Sequence, residues 1–199
     1  MADVEALLRT RSSGAPAGAV DAFAETATRE GLVDVAVAAV EAPFGRLHVA
    51  VTPRGVVRVS YDAYDVLLDD LARRVSPRVL EAAGPTDAVR RELDAYFAGT
   101  STRFAVPLDL SLVRSDFQRK VLAAAGTIPY GERRTYTDVA IAAGSPRAVR
   151  AAGTALGTNP LCIVVPCHRV LPASGGVGRY AGGADAKRWL LDREGTLPR

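Results

Sequence analysis

The stretch Asn159-Pro160-Leu161-Cys162-Ile163-Val164-Val165-Pro166-Cys167-His168-Arg169-Val170 sets an apolar run directly against a cysteine, a histidine and an arginine in succession. A core segment that ends on such a trio points to chemistry at that end. The thiolate is the nucleophilic form of cysteine, and a thiol with its ordinary pKa of about 8.5 is mostly protonated at neutral pH. His168 can take that proton directly or through a water, and Arg169 adds positive potential beside it. Pro166 stiffens the backbone just ahead of the thiol. Cys167 is therefore the candidate nucleophile. Cys162, inside the apolar run with no polar partner, reads as inert core.

On the C-terminal side follows Gly175-Gly176-Val177-Gly178-Arg179-Tyr180. It lacks the strand-to-helix context of a dinucleotide fingerprint and reads as the wall of a pocket. A helix is expected from about residue 184, carrying Leu190-Leu191-Asp192-Arg193-Glu194-Gly195. On the N-terminal side, Ser115 is placed to cap a helix with Phe117, Val121, Leu122 and Ala125 on one face, ending at Gly126. Ile128-Pro129-Tyr130-Gly131 is a turn. Thr135 with Asp138 forms a capping box for a short helix from Tyr136 to Ala143, stopped by Gly144. Ser145-Pro146 predicts an N-cap with proline in the first helical position, opening a helix to about Leu156. Two short helices around a glycine turn make a helix-turn-helix pattern. On the second, Arg147, Arg150 and Thr154 share a face, while Val149, Ala152, Gly153 and Leu156 lie on another.

Pro166-Cys167-His168-Arg169-Val170, with Asn159-Pro160 before it, the glycine-rich segment and Leu190 to Gly195 after it, and Ile128 to Glu132 and Thr135-Tyr136 upstream, resembles the active-site region of the O6-alkylguanine-DNA alkyltransferases. The likeness covers roughly the last 85 to 90 residues in collinear blocks, which is far more specific than a lone pentapeptide. It implies direct reversal of damage: irreversible, single-turnover transfer of the alkyl group from O6-alkylguanine in double-stranded DNA to Cys167. Carried over residue by residue, His168 links Cys167 through water to Glu194, and Asn159 holds the surrounding turn. Arg150 enters the base stack from the minor groove and fills the hole left by the flipped nucleotide. Arg147 and Thr154 share its DNA-facing side. Tyr136 helps turn the nucleotide out and protonates the leaving guanine. Tyr180, Lys187 and Val170 form the substrate side. Where relatives often have serine after the loop tyrosine, this chain has Ala181, so contacts to the leaving group there are either weaker or supplied by backbone N–H groups.

The chain has 199 residues, of which 48% are hydrophobic, enough for a real core without staples. Two cysteines make no disulfide framework, and a working thiol suits a reducing cytosol, so a cytoplasmic protein is expected. No secretory leader and no membrane-length apolar run stands out. The net charge of +3 hides an asymmetry: residues 1–110 carry 12 Lys and Arg against 16 Asp and Glu, residues 111–199 carry 13 against 6. The half with Cys167 is thus the basic half, as a surface that meets phosphates should be. His48 and the two cysteines have no zinc-site spacing, so neither metal nor other cofactor is expected.

The first half predicts a different module. Residues 1–30 hold a Ser/Gly/Ala/Pro patch at 12–18 between two amphipathic pieces and read as an extension or a partly ordered tail. Three β-rich runs from Val33 to Tyr61, separated by Pro43-Phe44-Gly45 and Pro53-Arg54-Gly55, read as an antiparallel meander with His48 as a structural residue. Helices are expected at Asp65 to Val75, and at Thr86 to Ala98 with Val89, Leu93 and Phe97 on one face. Phe104 to Leu110 reads as an edge strand or extended linker. The expectation is an α+β chain: an N-terminal antiparallel-sheet module over 1–110 that scaffolds, then a mainly helical domain over 111–199 that binds DNA and reacts. It should be a monomer when free, with assembly of several copies on DNA left open. Two other readings stand beside it: a lesion binder without transfer, against which Cys167 counts, and a helix-turn-helix regulator with an incidental thiol.

Overall fold

In the N-terminal half three strands, Val35–Ala42 (β1), Gly45–Thr52 (β2) and Gly55–Ser60 (β3), form the expected antiparallel meander. The computed structural model describes residues 19–198, so the patch at 12–18 lies outside the described residues. The turn glycines allow the reversals: Gly55 sits at φ 135°, and a Cβ there would fall 2.2 Å from the Pro107 carbonyl oxygen. Only glycine fits.

Both faces of this sheet are covered where β1 begins, so Val35 to Ala38 are buried in succession rather than in alternation. Val35, Val37, Ala50 and Val57 pack with Leu67 and Leu71 of helix Tyr64–Arg74 (α2). Ala38, Val40, Leu47 and Val49 pack with Val89, Leu93 and Tyr96 of helix Ala83–Ala98 (α3). A register shift between β2 and β3 at Ala50/Val51 lets Val56 and Val59 both join the α3 side although three positions apart.

Several expectations need correction. A short strand, Val79–Glu81 (β4), pairs parallel with β1 and gives the sheet order β3-β2-β1-β4. Three residues are too few to show a period. Residues Ala19–Arg29 form a helix (α1), where an extension was expected, and its Ala24 packs with Ala36 and Ala82. Helix α3 begins at Ala83, three residues before Thr86, because Pro85 is tolerated in a first turn that lacks intrahelical donors anyway. Its most deeply buried aromatic residue is Tyr96, while Phe97 is only partly buried. The 104–110 segment takes the second of its two expected forms, an extended linker, joined to β3 by one bridge, Val56 to Leu108.

The C-terminal half adds helices Asp116–Gly126 (α4), Tyr136–Ala142 (α5), Val149–Gly157 (α6) and Gly183–Arg193 (α7). A two-residue strand, Arg134–Thr135 (β5), pairs parallel with Val170–Leu171 (β6). Ser115 caps α4 by accepting from the Gln118 amide, and Thr135 and Asp138 make the predicted capping box on α5. The second helix of the pair differs: Ser145 to Ala148 closes a turn through Ala148 N donating to Ser145 O at 2.9 Å, and α6 starts only at Val149. Ser-Pro suits the first two positions of a type I turn as well as an N-cap. Arg147 therefore lies in the turn, off the face that carries Arg150 and Thr154.

One apolar core runs through both halves, from Val49 and Leu93 to Val121, Val139, Leu161 and Leu190. The contact that fixes the reactive segment is on the free edge of β3. There Val59 N donates to Pro160 O at 2.8 Å, and Val59 bridges Leu161. The apolar run that leads to Cys167 is thus anchored on the sheet. Among the described residues no helix is long and apolar enough to cross a membrane.

Candidate active site

After Pro166 the chain makes one 3-10 turn, Cys167–Arg169, and passes into β6. Asn159 organises the approach. Its Oδ1 accepts from Leu161 N at 2.9 Å, and its Nδ2 donates to Val165 O at 3.1 Å and to Cys167 Sγ at 3.2 Å. The Cys167 thiol is held below its ordinary pKa by the neighbouring Cys162 thiol, then by the Asn159 amide and the Lys187 ammonium, against the cost of burial. That positive potential was expected from Arg169. Its side chain instead turns into the core, donating through Nε and Nη2 to the two oxygens of Glu194 at 2.9 Å each and through Nη1 to Ile128 O at 2.6 Å.

His168 is fully buried. Its Nε2 lies 2.9 Å from Glu194 Oε1, and its Nδ1 meets no partner among the described residues. Burial lowers the imidazole's pKa and favours the neutral ring. A carboxylate only accepts, so Nε2 carries the proton and Nδ1 is the free acceptor. Burial works against ionisation of Glu194, but donors from His168, Arg169 and Tyr96 overcome it and hold the carboxyl at about 2.

Tyr96 was missed by sequence reasoning. It comes from α3, in the half expected only to scaffold, and its hydroxyl donates to Glu194 Oε1 at 2.7 Å. A signal existed: a tyrosine at a core-facing helical position needs a buried acceptor. Tyr61, just past β3, was missed likewise. Its hydroxyl donates to Tyr180 Oη at 3.1 Å, and a Cβ on Gly182 would fall 2.3 Å from its ring. The first half thus supports the site at two points. His48 stays structural, its Nδ1 3.1 Å from Asp62 O.

Cys167 opens onto a cleft of about 680 Å³. Tyr136, Arg150 and Thr154 line it from the α5–α6 pair; Gly178, Arg179, Tyr180 and Ala181 line it from the glycine-rich loop, which is the expected pocket wall. Arg150 and Thr154 are exposed, as is Arg147 in the preceding turn. Burial raises the Tyr136 hydroxyl above its ordinary value, and Cys167 adds to the effect. Burial pushes Tyr180 up as well, again with both cysteines adding. Lys187 is buried, donates to Val170 O at 2.8 Å, and is lowered by burial to about 8. The Val170 side chain is in the core, so it faces the site only through that carbonyl.

The model of the 6-O-methylguanine DNA methyltransferase ribonuclease-like domain matches residues 35–110, and that of the DNA binding domain of the same protein matches residues 116–196. A probable methylated-DNA--protein-cysteine methyltransferase of Acanthamoeba polyphaga mimivirus is 38% identical over 151 residues, covering 75% of this chain and 96% of the viral protein. The chain belongs to the O6-methylguanine-DNA methyltransferase family. The methylated-DNA--protein-cysteine methyltransferase of Mycolicibacterium paratuberculosis is 53% identical over 103 residues, 52% of this chain but only 61% of that relative's length. A crystal structure of the Mycobacterium tuberculosis protein OGT in complex with DNA has a TM-score of 0.68 and 36% identity, covering 82% of this chain and 95% of that one.

Proposed function

We propose that this chain repairs O6-alkylguanine in double-stranded DNA by moving the alkyl group irreversibly onto Cys167. The observation that carries this reading is the position of Cys167 Sγ on the cleft shared by Tyr136 and Arg150, with a neutral His168 and an ionised Glu194 behind it. A base in a duplex reaches such a cleft only by rotating out of the stack. Arg150 fills the vacated space, Thr154 on its face and Arg147 from the preceding turn lie against the strand, and α6 sits in the minor groove. The cysteine proton passes through water to His168 Nδ1, and Glu194 stabilises the imidazolium. The thiolate then attacks the alkyl carbon. The C–O6 bond breaks, its electron pair moves onto the guanine, and Tyr136, kept protonated by its surroundings, supplies a proton to the departing purine. The thioether is a poor leaving group, so one chain makes one transfer. Residues 1–110 support and residues 111–199 react. The protein acts as a monomer when free, needs no cofactor, and works in the reducing cytoplasm.

Incubation with duplex containing O6-methylguanine should add one methyl group per chain, found on Cys167 by peptide mass spectrometry. An unmodified Cys167 after the lesion has disappeared, or a lesion that persists, rejects the reading. Arg150→Ala should slow duplex repair by at least about tenfold, because the unstacked state loses its plug. Reaction with a free O6-alkylguanine base should change little; equal losses on both substrates would remove Arg150 from base rotation.

Lys187 sets an upper limit in pH. Its ammonium, lowered to about 8, favours the Cys167 thiolate. Alkylation by a free base should rise as Cys167 ionises and then fall as pH passes through about 8 and the ammonium discharges. Lys187→Met should flatten that falling limb in a pH–rate profile.

A further inference from the structure

Cys162 was expected to be inert, yet it shares a partner with the nucleophile. Asn159 holds both sulfurs: its backbone carbonyl accepts from the Cys162 thiol at 3.4 Å, and its side-chain amide donates to Cys167 Sγ at 3.2 Å. Between the cysteines the chain doubles back. Val165 N donates to Leu161 O at 2.8 Å, Cys162 bridges Val165, and Ile163 takes a left-handed φ of 72°, alone among the described non-glycine residues. The return sets Cys162 against Val165, two residues before Cys167, and so shortens the span that a disulfide between the two cysteines has to close. Each thiol is the leading influence on the other's ionisation, Cys167 being held down and Cys162 pushed up. Both are free.

We propose that Cys162 is the resolving thiol of an oxidation site centred on Cys167, closing an intramolecular disulfide when a hydroperoxide enters the cleft. The Cys167 thiolate attacks one peroxide oxygen; the O–O bond breaks, hydroxide or alkoxide leaves, and Cys167 becomes a sulfenic acid. Cys162 sulfur then attacks the Cys167 sulfur, the S–O bond breaks, and the departing hydroxide takes the Cys162 proton as water. Two thiols lose two electrons, and one hydroperoxide is reduced. The order is built in. While Cys167 is a thiolate, the neighbouring charge keeps Cys162 protonated; a neutral sulfenic acid removes that charge and frees Cys162 to react. The consequence suits a protein that can use its sulfur once: the nucleophile is masked but recoverable, rather than lost to sulfinic acid. That consequence rests on Cys167 being the alkyl acceptor; the disulfide itself does not.

The test uses the reduced full chain, hydrogen peroxide and no DNA for the mass measurement. Trypsin releases residues 151–169 with both cysteines. In the wild type this peptide should lose two hydrogen atoms. Alkyl transfer, scored against the untreated protein, should fall by at least about tenfold and return with dithiothreitol. Cys162→Ser, with Cys162→Ala as a second variant should serine disturb folding, should gain two or more oxygen atoms on Cys167 and recover little. Oxygen gain in the wild-type peptide without hydrogen loss, or equal recovery in wild type and both variants, overturns the proposal. A disulfide that forms in a protein unable to transfer alkyl groups would reject the repair reading and leave this one standing.

Discussion

Replacing Cys167 with serine is expected to abolish alkyl transfer, by at least about four orders of magnitude, while leaving the fold and the affinity for lesion-containing duplex close to wild type. Serine occupies nearly the same volume and still accepts from Asn159 Nδ2. It cannot carry the reaction, because what surrounds position 167 is matched to a thiol. The Asn159 amide, Cys162 and Lys187 together lower a thiol that is already within reach of neutral pH. The same donors leave a hydroxyl many units short of ionising. Two measurements separate the outcomes: intact mass after exposure to O6-methylguanine duplex, and retention of that duplex in a binding assay. A methylated serine variant, or methylation of the wild type at another residue, would displace Cys167 from the mechanism.

Glu194→Gln should have the largest effect on stability, about 3 to 5 kcal/mol, and should slow Cys167 alkylation by roughly a hundredfold. Glu194 Oε1 accepts from His168, Arg169 and Tyr96, and Oε2 from Arg169. Glutamine can put its carbonyl at the first position only by aiming its amide hydrogens at the Arg169 Nε–H. The buried guanidinium then has no counter-charge. His168 also loses the anion that stabilises its protonated form. The wild-type carboxyl, at about 2 when folded against an ordinary 4.5, is lowered by folding. Its contribution is therefore fully present above about pH 4.5 and is lost as pH falls toward about 2, on the order of 3 kcal/mol. Urea unfolding across that window should show this acid-linked loss in the wild type and not in the variant. The same pH dependence in both would mean that Glu194 is not the carboxylate these donors hold.

Much of the second half was legible because its signals are local. A serine accepts from an amide three residues on at Ser115, and Thr135 and Asp138 satisfy each other's backbones within one turn. Cys167 and His168 are adjacent, and Tyr136 and Arg150 belong to two short helices whose spacing could be read directly. Where one local signal had two solutions, at Ser145-Pro146, the chain took the turn and moved Arg147 off the helix. The long-range half of the site was hidden. Glu194 entered through resemblance rather than spacing. Tyr96 lies 98 positions from the carboxylate it meets, and Tyr61 lies 119 positions from Tyr180.

The residues alone therefore determined which atoms are candidates to react, where two of the helices are capped, and which half carries positive charge, since each depends on bonds, short hydrogen bonds or simple sums along the chain. Tertiary structure alone decided which way Arg169 points, that α3 supplies a donor to Glu194, and that Cys162 stands beside Cys167. Those outcomes come from docking the 160–161 segment on the edge of β3 and closing one core across both halves. No local pattern encodes them, because a buried donor or charge takes whichever acceptor the packed core brings within reach.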